Sequence, residues 1–228
     1  MLKKHKYVGV GFSDDDIIWK YFSLPAFLAM LENGMLYFTR VSTLPDPNEF
    51  PITDLDIKGF GFQKENYVDA INRTKEKSFV NCWRLSDSED FGMWNAYADA
   101  AKGIAIKSDM KRLFAAFDNQ QNDNRDIYVG KVAYIDNATE RAQKYDDVFN
   151  CLFIAFSKTK AYQNECELRL CFEDREIDVN DFGIAVDISV LISEIRVGSS
   201  AKPYVKSLIE KIILRYGLNV PVTESIVK

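Results

Sequence analysis

The chain has 228 residues, with 29 Lys plus Arg against 34 Asp plus Glu, a net charge of −5, and 47% hydrophobic residues. That size fits one domain able to bury roughly 70% of its unfolded surface without a disulfide or metal staple. The balance excludes disorder throughout and a general basic coat for nucleic acid.

Residues 1–16, ending in Asp14-Asp15-Asp16, read as a flexible lead. Residues 17–22 are aromatic and β-branched, a short strand. Ser23 is a candidate N-cap. Leu24, Phe27, Leu28 and Leu31 then follow a helical stripe, with Pro25 tolerated in the first turn and Asn33-Gly34 as the stop. Residues 35–40 are strand-like, and the prolines of Leu44-Pro45-Asp46-Pro47-Asn48-Glu49 impose a rigid loop. A helix is expected over 65–77 and an apolar strand over 79–83. A second helix places Trp94, Tyr97, Ala98 and Ala101 on one core-facing side and ends at Gly103.

Ile104 and Ile106 form a strand, and Ser108 caps a helix running to about Phe117. The polar stretch 118–126 is the expected mobile loop. A strand over 127–134, a helix within 145–162 and an alternating strand over 165–172 follow. Ile184 with Val186, and Ile195 with Val197, mark two short strands. Pro203 opens a last helix through Tyr204, Leu208, Ile212 and Leu214, stopped by Gly217. Strands and helices mix without βαβ alternation. The expectation is a single α+β domain over 1–228, with mostly antiparallel, twisted sheets and packed helices; a parallel doubly wound fold is the alternative.

The lone histidine, His5, sits in a Lys-Lys-His-Lys context. It argues against a Ser-His-Asp triad, a Cys-His dyad or a histidine-rich zinc site. Cys82, Cys151, Cys166 and Cys171 form no C-x-x-C pair and lie in apolar contexts, which reads as buried thiols of a reducing cytosol. The N-terminus lacks the apolar core of a signal peptide, and the longest nearly apolar run, 148–156, is far short of a membrane span. A cytoplasmic protein with no membrane partner is therefore expected. No glycine-rich nucleotide loop is present.

Chemistry is left to carboxylates, amines, guanidinium groups and phenols. In Glu165-Cys166-Glu167-Leu168-Arg169, a strand would put Glu165, Glu167 and Arg169 on one polar face and Leu168 and Leu170 on the other. Two carboxylates so spaced repel unless a cation intervenes, and Arg169 can be that cation. Lys20 lies between Trp19 and Tyr21, where it could anchor an anion beside an aromatic ring. The stiff loop presents Asp46, Asn48 and Glu49. Tyr37, Arg84, following Cys82-Trp83, and Tyr97 complete the candidates. Each cluster also has a plain reading, as a charge ladder, an edge strand, a turn or core packing.

These pieces, in this order, resemble domain-of-unknown-function family 2971. The matching residues are Trp19 to Phe22, Asp46-Pro47-Asn48-Glu49, Cys82-Trp83, Met93 to Ala98, Gly103, and Lys158, Tyr162, Glu165, Glu167 and Arg169, followed by Ile195-Arg196-Val197-Gly198. The resemblance spans about residues 17–200, leaving 201–228 as a C-terminal helix and strand. Pro45 departs from the family's usual Asn.

At the level of fold, a basic residue on the first strand and a late Glu165-x-Glu167 are similar to ADP-ribosyltransferases, toxin-type members included. Their Ser-Thr-Ser segment is not evident near Cys82-Trp83-Arg84. That similarity implies a split-sheet cleft holding NAD as substrate, with no metal, and transfer of ADP-ribose to a protein or nucleic-acid acceptor, as in a toxin or phage-defence effector. It implies Glu167 and Glu165 as catalytic residues and Lys20, Tyr21, Tyr37, Arg84 and Tyr97 around NAD. Asp46, Asn48, Glu49 and Arg169 form the substrate or loop group, in which Arg169 orients Glu167 or remains a structural partner. The alternatives are a non-catalytic binding or sensor module, and a carboxylate-metal nuclease using Asp46, Glu49, Glu165 and Glu167.

Overall fold

The computed structural model describes the chain apart from residues 5–10, 47–48, 61–62, 99–101, 119–124, 137–138, 141–153 and 228. Asn48, His5, Cys151, most of the 118–126 loop and the start of the helix expected within 145–162 therefore lie outside the described residues.

The strands are β1 (Leu2–Lys4), β2 (Ile17–Phe22), β3 (Met35–Arg40), β4 (Ser78–Leu85), β5 (Ile104–Asp109), β6 (Ile127–Lys131), β7 (Ala133–Ile135), β8 (Ser157–Thr159), β9 (Glu167–Glu173), β10 (Asp181–Ala185), β11 (Glu194–Val197) and β12 (Val222–Glu224). The helices include α1 (Leu24–Asn33), α2 (Asp54–Phe60), α3 (Lys64–Lys77), α4 (Phe91–Met93), α5 (Met110–Asp118), α6 (Ile188–Leu191) and α7 (Pro203–Arg215). Among the described residues, ten strands form one sheet along β1-β6-β9-β4-β2-β5-β11-β12, with β3 and β10 branching from β4. Pairing is mostly antiparallel; β1 with β6 and β11 with β12 are parallel. β7 and β8 form a separate two-stranded sheet. The architecture is thus a mixed α and β domain with a large, mainly antiparallel sheet.

Pleat alternation sorts the core. Ile18 and Phe22 of β2, Phe79 and Trp83 of β4, and Leu168, Leu170 and Phe172 of β9 pack in one cluster with Phe27, Met30, Leu113, Phe117, Ile209 and Ile213 of the helices. On the other side, Val80 and Cys171 pack with Phe50, Tyr67, Ile71 and Phe156. Trp19, Tyr21, Trp94, Ala98 and Ala105 form a third cluster.

The sheet forks at β4. On one edge, Phe79 and Val80 pair with Arg40 and Thr39 of β3, whereas Arg84 and Leu85 pair with Trp19 and Ile18 of β2. Between these pairs, Asn81, Cys82 and Trp83 have no strand partner on that edge. Side chains fill the gap: Lys20 Nζ donates to the Cys82 carbonyl at 2.9 Å, and Asn81 Nδ2 donates to the Tyr37 carbonyl at 2.6 Å. Buried main-chain groups need such partners wherever a ladder is interrupted.

Helix α1 forms as its sequence dictates: Ser23 accepts from the Ala26 amide, and Gly34, at φ 63°, closes it with an amide to the Met30 carbonyl. Other expectations are corrected. Residues 2–4, within the expected flexible lead, are the edge strand β1, because Leu2 is buried against the core beside β6. The expected strand 127–134 is two strands in two sheets, divided where the Val132 amide leaves to donate to the Glu167 carbonyl. Helix α5 is capped by Asp109, which accepts from the Arg112 amide at 2.8 Å, while the Ser108 hydroxyl donates to the Leu191 carbonyl. On α7 both neighbouring stripes are apolar, and the one through Ile209 and Ile213 is buried; Tyr204, Leu208 and Leu214 are exposed. Cys166 is exposed and Cys82 half-buried, so only Cys171 of the described cysteines is the buried thiol expected.

Candidate active site

A cavity of about 430 Å³ opens at the fork, lined among others by Lys20, Tyr21, Tyr37, Asp46, Glu49, Cys82, Trp83, Arg84, Tyr97, Lys158, Tyr162, Glu165 and Glu167. Lys20 shares the pleat direction of Ile18 and Phe22, whereas Glu167 shares that of Cys171, on the opposite side of the sheet. An unbroken sheet would keep them apart. The fork lets side chains of both faces line one cavity.

The carboxylates are placed by a turn as well as a strand. Glu165 ends a 3₁₀ helix, Lys160–Glu165, and Cys166 takes a left-handed conformation at φ 45° before β9 begins at Glu167. This corrects the expectation that Glu165, Glu167 and Arg169 form one row on a strand. The turn swings Glu165 outward, with its side chain 17% exposed against 4% for Glu167.

Arg169 has no exposure and lies behind Glu167 rather than on the cavity wall. Its Nε and Nη2 grip Glu167 Oε1 and Oε2 at 2.7 and 3.1 Å, and Nη2 also meets Glu49 at 2.9 Å. Nη1 donates to the Ala155 carbonyl at 2.8 Å. Lys158, 5% exposed, reaches Glu165 at 2.8 Å, Glu49 at 3.2 Å and Glu167 at 3.5 Å. Its ammonium stands where a metal shared by these carboxylates would have to stand. Among the described residues, no group of three or more His, Cys, Asp or Glu could hold a metal ion.

Burial alone would push the Glu167 carboxyl up, but the charge and hydrogen bonds of Arg169, together with Lys158, hold it down at about 2. It is ionised at neutral pH. Burial lowers Lys20 to about 8 against the pull of the Glu167 charge, so the ammonium persists at pH 7. Burial and the Glu167 charge raise the Cys82 thiol well above its ordinary value, leaving it a protonated neighbour of that carboxylate.

Tyr97 is half exposed, not buried with Trp94 and Ala98 as the helical stripe implied. After α4 the chain widens into a π-helix, Trp94–Ala98, which changes the phase of successive side chains. The Tyr97 hydroxyl thereby donates to Glu165 Oε1 at 2.8 Å. Gly103 permits this segment to pack, since a Cβ there would fall 2.1 Å from the Ala98 carbonyl oxygen.

Arg84 pairs with Asp90 at 3.3 Å and donates to the Asn164 carbonyl, tying the turn before Glu165 to β4; its Nε is buried without a partner. Of the candidates, Lys20, Tyr21, Tyr37, Asp46, Glu49, Arg84, Tyr97, Glu165 and Glu167 line the cavity. Lys158 was legible as one position of the family pattern, whereas Tyr134, whose hydroxyl accepts the Glu167 amide at 2.8 Å, carried no sequence signal.

No helix among the described residues is long and apolar enough to cross a membrane. No curated protein matches the chain. Among solved structures, DarT of Thermus sp. 2.9 in complex with NAD+ is similar at a TM-score of 0.40 and 10% identity, covering 94% of this chain and 97% of that one. The same protein in complex with carba-NAD+ gives a TM-score of 0.39, 9% identity and the same coverage. Over residues 93–170, the stretch that supplies Tyr97, Lys158, Glu165, Glu167 and Arg169, the chain matches the family described as "Protein of unknown function (DUF2971)".

Proposed function

We propose that the cavity binds NAD and transfers its ADP-ribose to a protein or nucleic-acid acceptor, in the split-sheet cleft of an ADP-ribosyltransferase-like fold. One observation carries the reading: Lys20 and the carboxylates Glu165 and Glu167 face a single aromatic-walled cavity within the usual volume range of small-molecule sites. Cleavage of the bond between nicotinamide and ribose C1′ builds positive charge on the ribose. A rigid, ionised carboxylate stabilises that charge and can accept from a ribose hydroxyl. Glu167 has the rigidity and the charge. Nicotinamide leaves with the bonding electron pair, the acceptor nucleophile bonds to C1′, and Glu165 at the more exposed side takes the acceptor's proton. Lys20 and Arg84 hold the pyrophosphate, and Tyr21, Tyr37 and Tyr97 flank the rings. Asp46 and Glu49 belong to the rim loop. The likeness of Glu165-x-Glu167 to toxin-type members extends the reading to a toxin or phage-defence effector.

The test is release of nicotinamide from labelled NAD with candidate acceptors, in wild type and Glu167→Gln. Loss of release by a hundredfold or more in a folded variant supports the assignment; undiminished release removes Glu167 from the chemistry. One observation favours a binding or sensor module instead: Arg169 engages both oxygens of Glu167. NAD binding without turnover in the wild type would select that reading.

A further inference from the structure

The two-stranded sheet β7–β8 adds nothing to the ladder of the large sheet, yet its central pair is Tyr134 opposite Lys158. Both side chains converge on one residue. The Tyr134 hydroxyl accepts the backbone N–H of Glu167 at 2.8 Å, and Lys158 Nζ lies 3.5 Å from Glu167 Oε2. The Val132 amide, just before β7, donates to the Glu167 carbonyl at 2.9 Å. Glu167 is thus held by main chain and side chain from the same small element. The same ammonium reaches Glu165 and Glu49, which come from separate segments, and no other side chain touches all three carboxylates among the contacts described.

We propose that the β7–β8 sheet is a clamp for the carboxylate pair, and that Lys158 is a positioning residue that holds Glu165 and Glu167 at a fixed separation. The inference rests on the proposed transfer reading for its consequence, but not for its geometry. Without the ammonium, Arg169 still pairs with Glu49 and Glu167, Glu165 keeps only the Tyr97 hydroxyl, and mutual repulsion drives Glu165, the most exposed of the three, toward solvent. The other groups facing this centre are Tyr97, Cys82, the Tyr162 ring 4.7 Å from Lys158 Nζ, and two cations, Lys20 across the cavity and Lys75 near Glu49. Lys20 gives its hydrogen bond to the Cys82 carbonyl, so Lys158 is the ammonium that bridges the carboxylates.

The experiment compares wild type with Lys158→Met, Lys158→Arg and Tyr134→Phe. The first readout needs no substrate: titration of the Glu carboxyl carbons by NMR. Lys158→Met is expected to move the Glu167 midpoint upward by about one pH unit or more, because an opposite charge at this range lowers a carboxyl by that order. Lys158→Arg is expected to restore most of the shift. The second readout is nicotinamide release: kcat should fall at least tenfold in Lys158→Met with KM changed less than threefold, and its acid limb should move upward. A Glu167 midpoint unmoved in Lys158→Met overturns the proposal. So does a uniform loss in which Lys158→Arg is as impaired as Lys158→Met. If Lys158→Met does not fold, Lys158→Gln, which also removes the charge, takes its place beside Tyr134→Phe: unaltered Glu167 titration in both overturns the clamp. A wild type that releases no nicotinamide defeats the transferase reading alone, because the titration still accepts or rejects the clamp.

Discussion

Replacing Arg169 by Met leaves two carboxylates, Glu167 and Glu49, without their buried guanidinium. Glu167 is held at about 2 against an ordinary 4.5, and at 1.36 kcal/mol per pH unit this corresponds to about 3 kcal/mol of stability. For a depressed carboxyl, that contribution is present above pH 4.5 and lost as the pH falls toward 2. In Arg169→Met most of it disappears, and burial then pushes the carboxyl upward against Lys158 and the Cys82 thiol alone. Removing one partner of a buried pair typically costs about 3–5 kcal/mol. For a domain of this size each kcal/mol shifts the melting temperature by about 2–4 °C, so a fall of roughly 6–20 °C is expected at pH 7. The gap between variant and wild type should narrow at pH 4, because protonation of Glu167 relieves the variant and not the wild type. The double variant Arg169→Met with Glu167→Gln should melt above Arg169→Met alone, since the unpaired charge is gone. Circular dichroism melts at the two pH values measure all three quantities. A drop below 3 °C at pH 7, or a gap that does not depend on pH, would refute the view that Arg169 holds an ionised Glu167.

Two further outcomes concern the scaffold. Gly103→Ala puts a Cβ against the backbone of Ala98, which cannot yield as a flexible side chain would; a cost of about 1–3 kcal/mol and loss of the Tyr97–Glu165 contact are expected, and an unchanged melt with unchanged Tyr97 fluorescence would count against it. Trp94→Ala empties a fully buried site whose Nε1 donates to Glu89 at 3.0 Å. It should cost about 3–5 kcal/mol in urea titration, and wild-type stability would refute the core assignment.

Local chemistry made parts of this molecule legible. Ser23, the Leu24–Leu31 stripe and Gly34 define α1 because cap, face and stop lie within one dozen consecutive residues. Leu168 and Leu170 were readable as core by period two alone. The polar face of β9 was visible as a row, but not that Arg169 is wholly buried. Burial of a charge depends on partners converging from residues 49 and 155, and no local pattern encodes that. Tyr97 escapes the sequence for a different reason: a 3.6-residue period does not hold where the helix widens. The fork in β4 was invisible because Asn81-Cys82-Trp83 reads as any central strand; only the pairing shows that one edge is open there.

The pairing of β4 with β9 joins positions 83 to 95 apart in the chain, from Arg84 with Glu167 to Ser78 with Glu173. Such distant contacts have a large loop-closure cost before they return any stability, and domains dominated by them fold on millisecond-to-second timescales. The cavity needs β2, β4, the turn at Glu165 and β8 together, so no early, locally folded fragment contains it. Ligand binding at the fork should therefore report completion of the whole sheet, and a kinetic trace of binding competence during refolding should coincide with the last, slowest gain of tertiary structure.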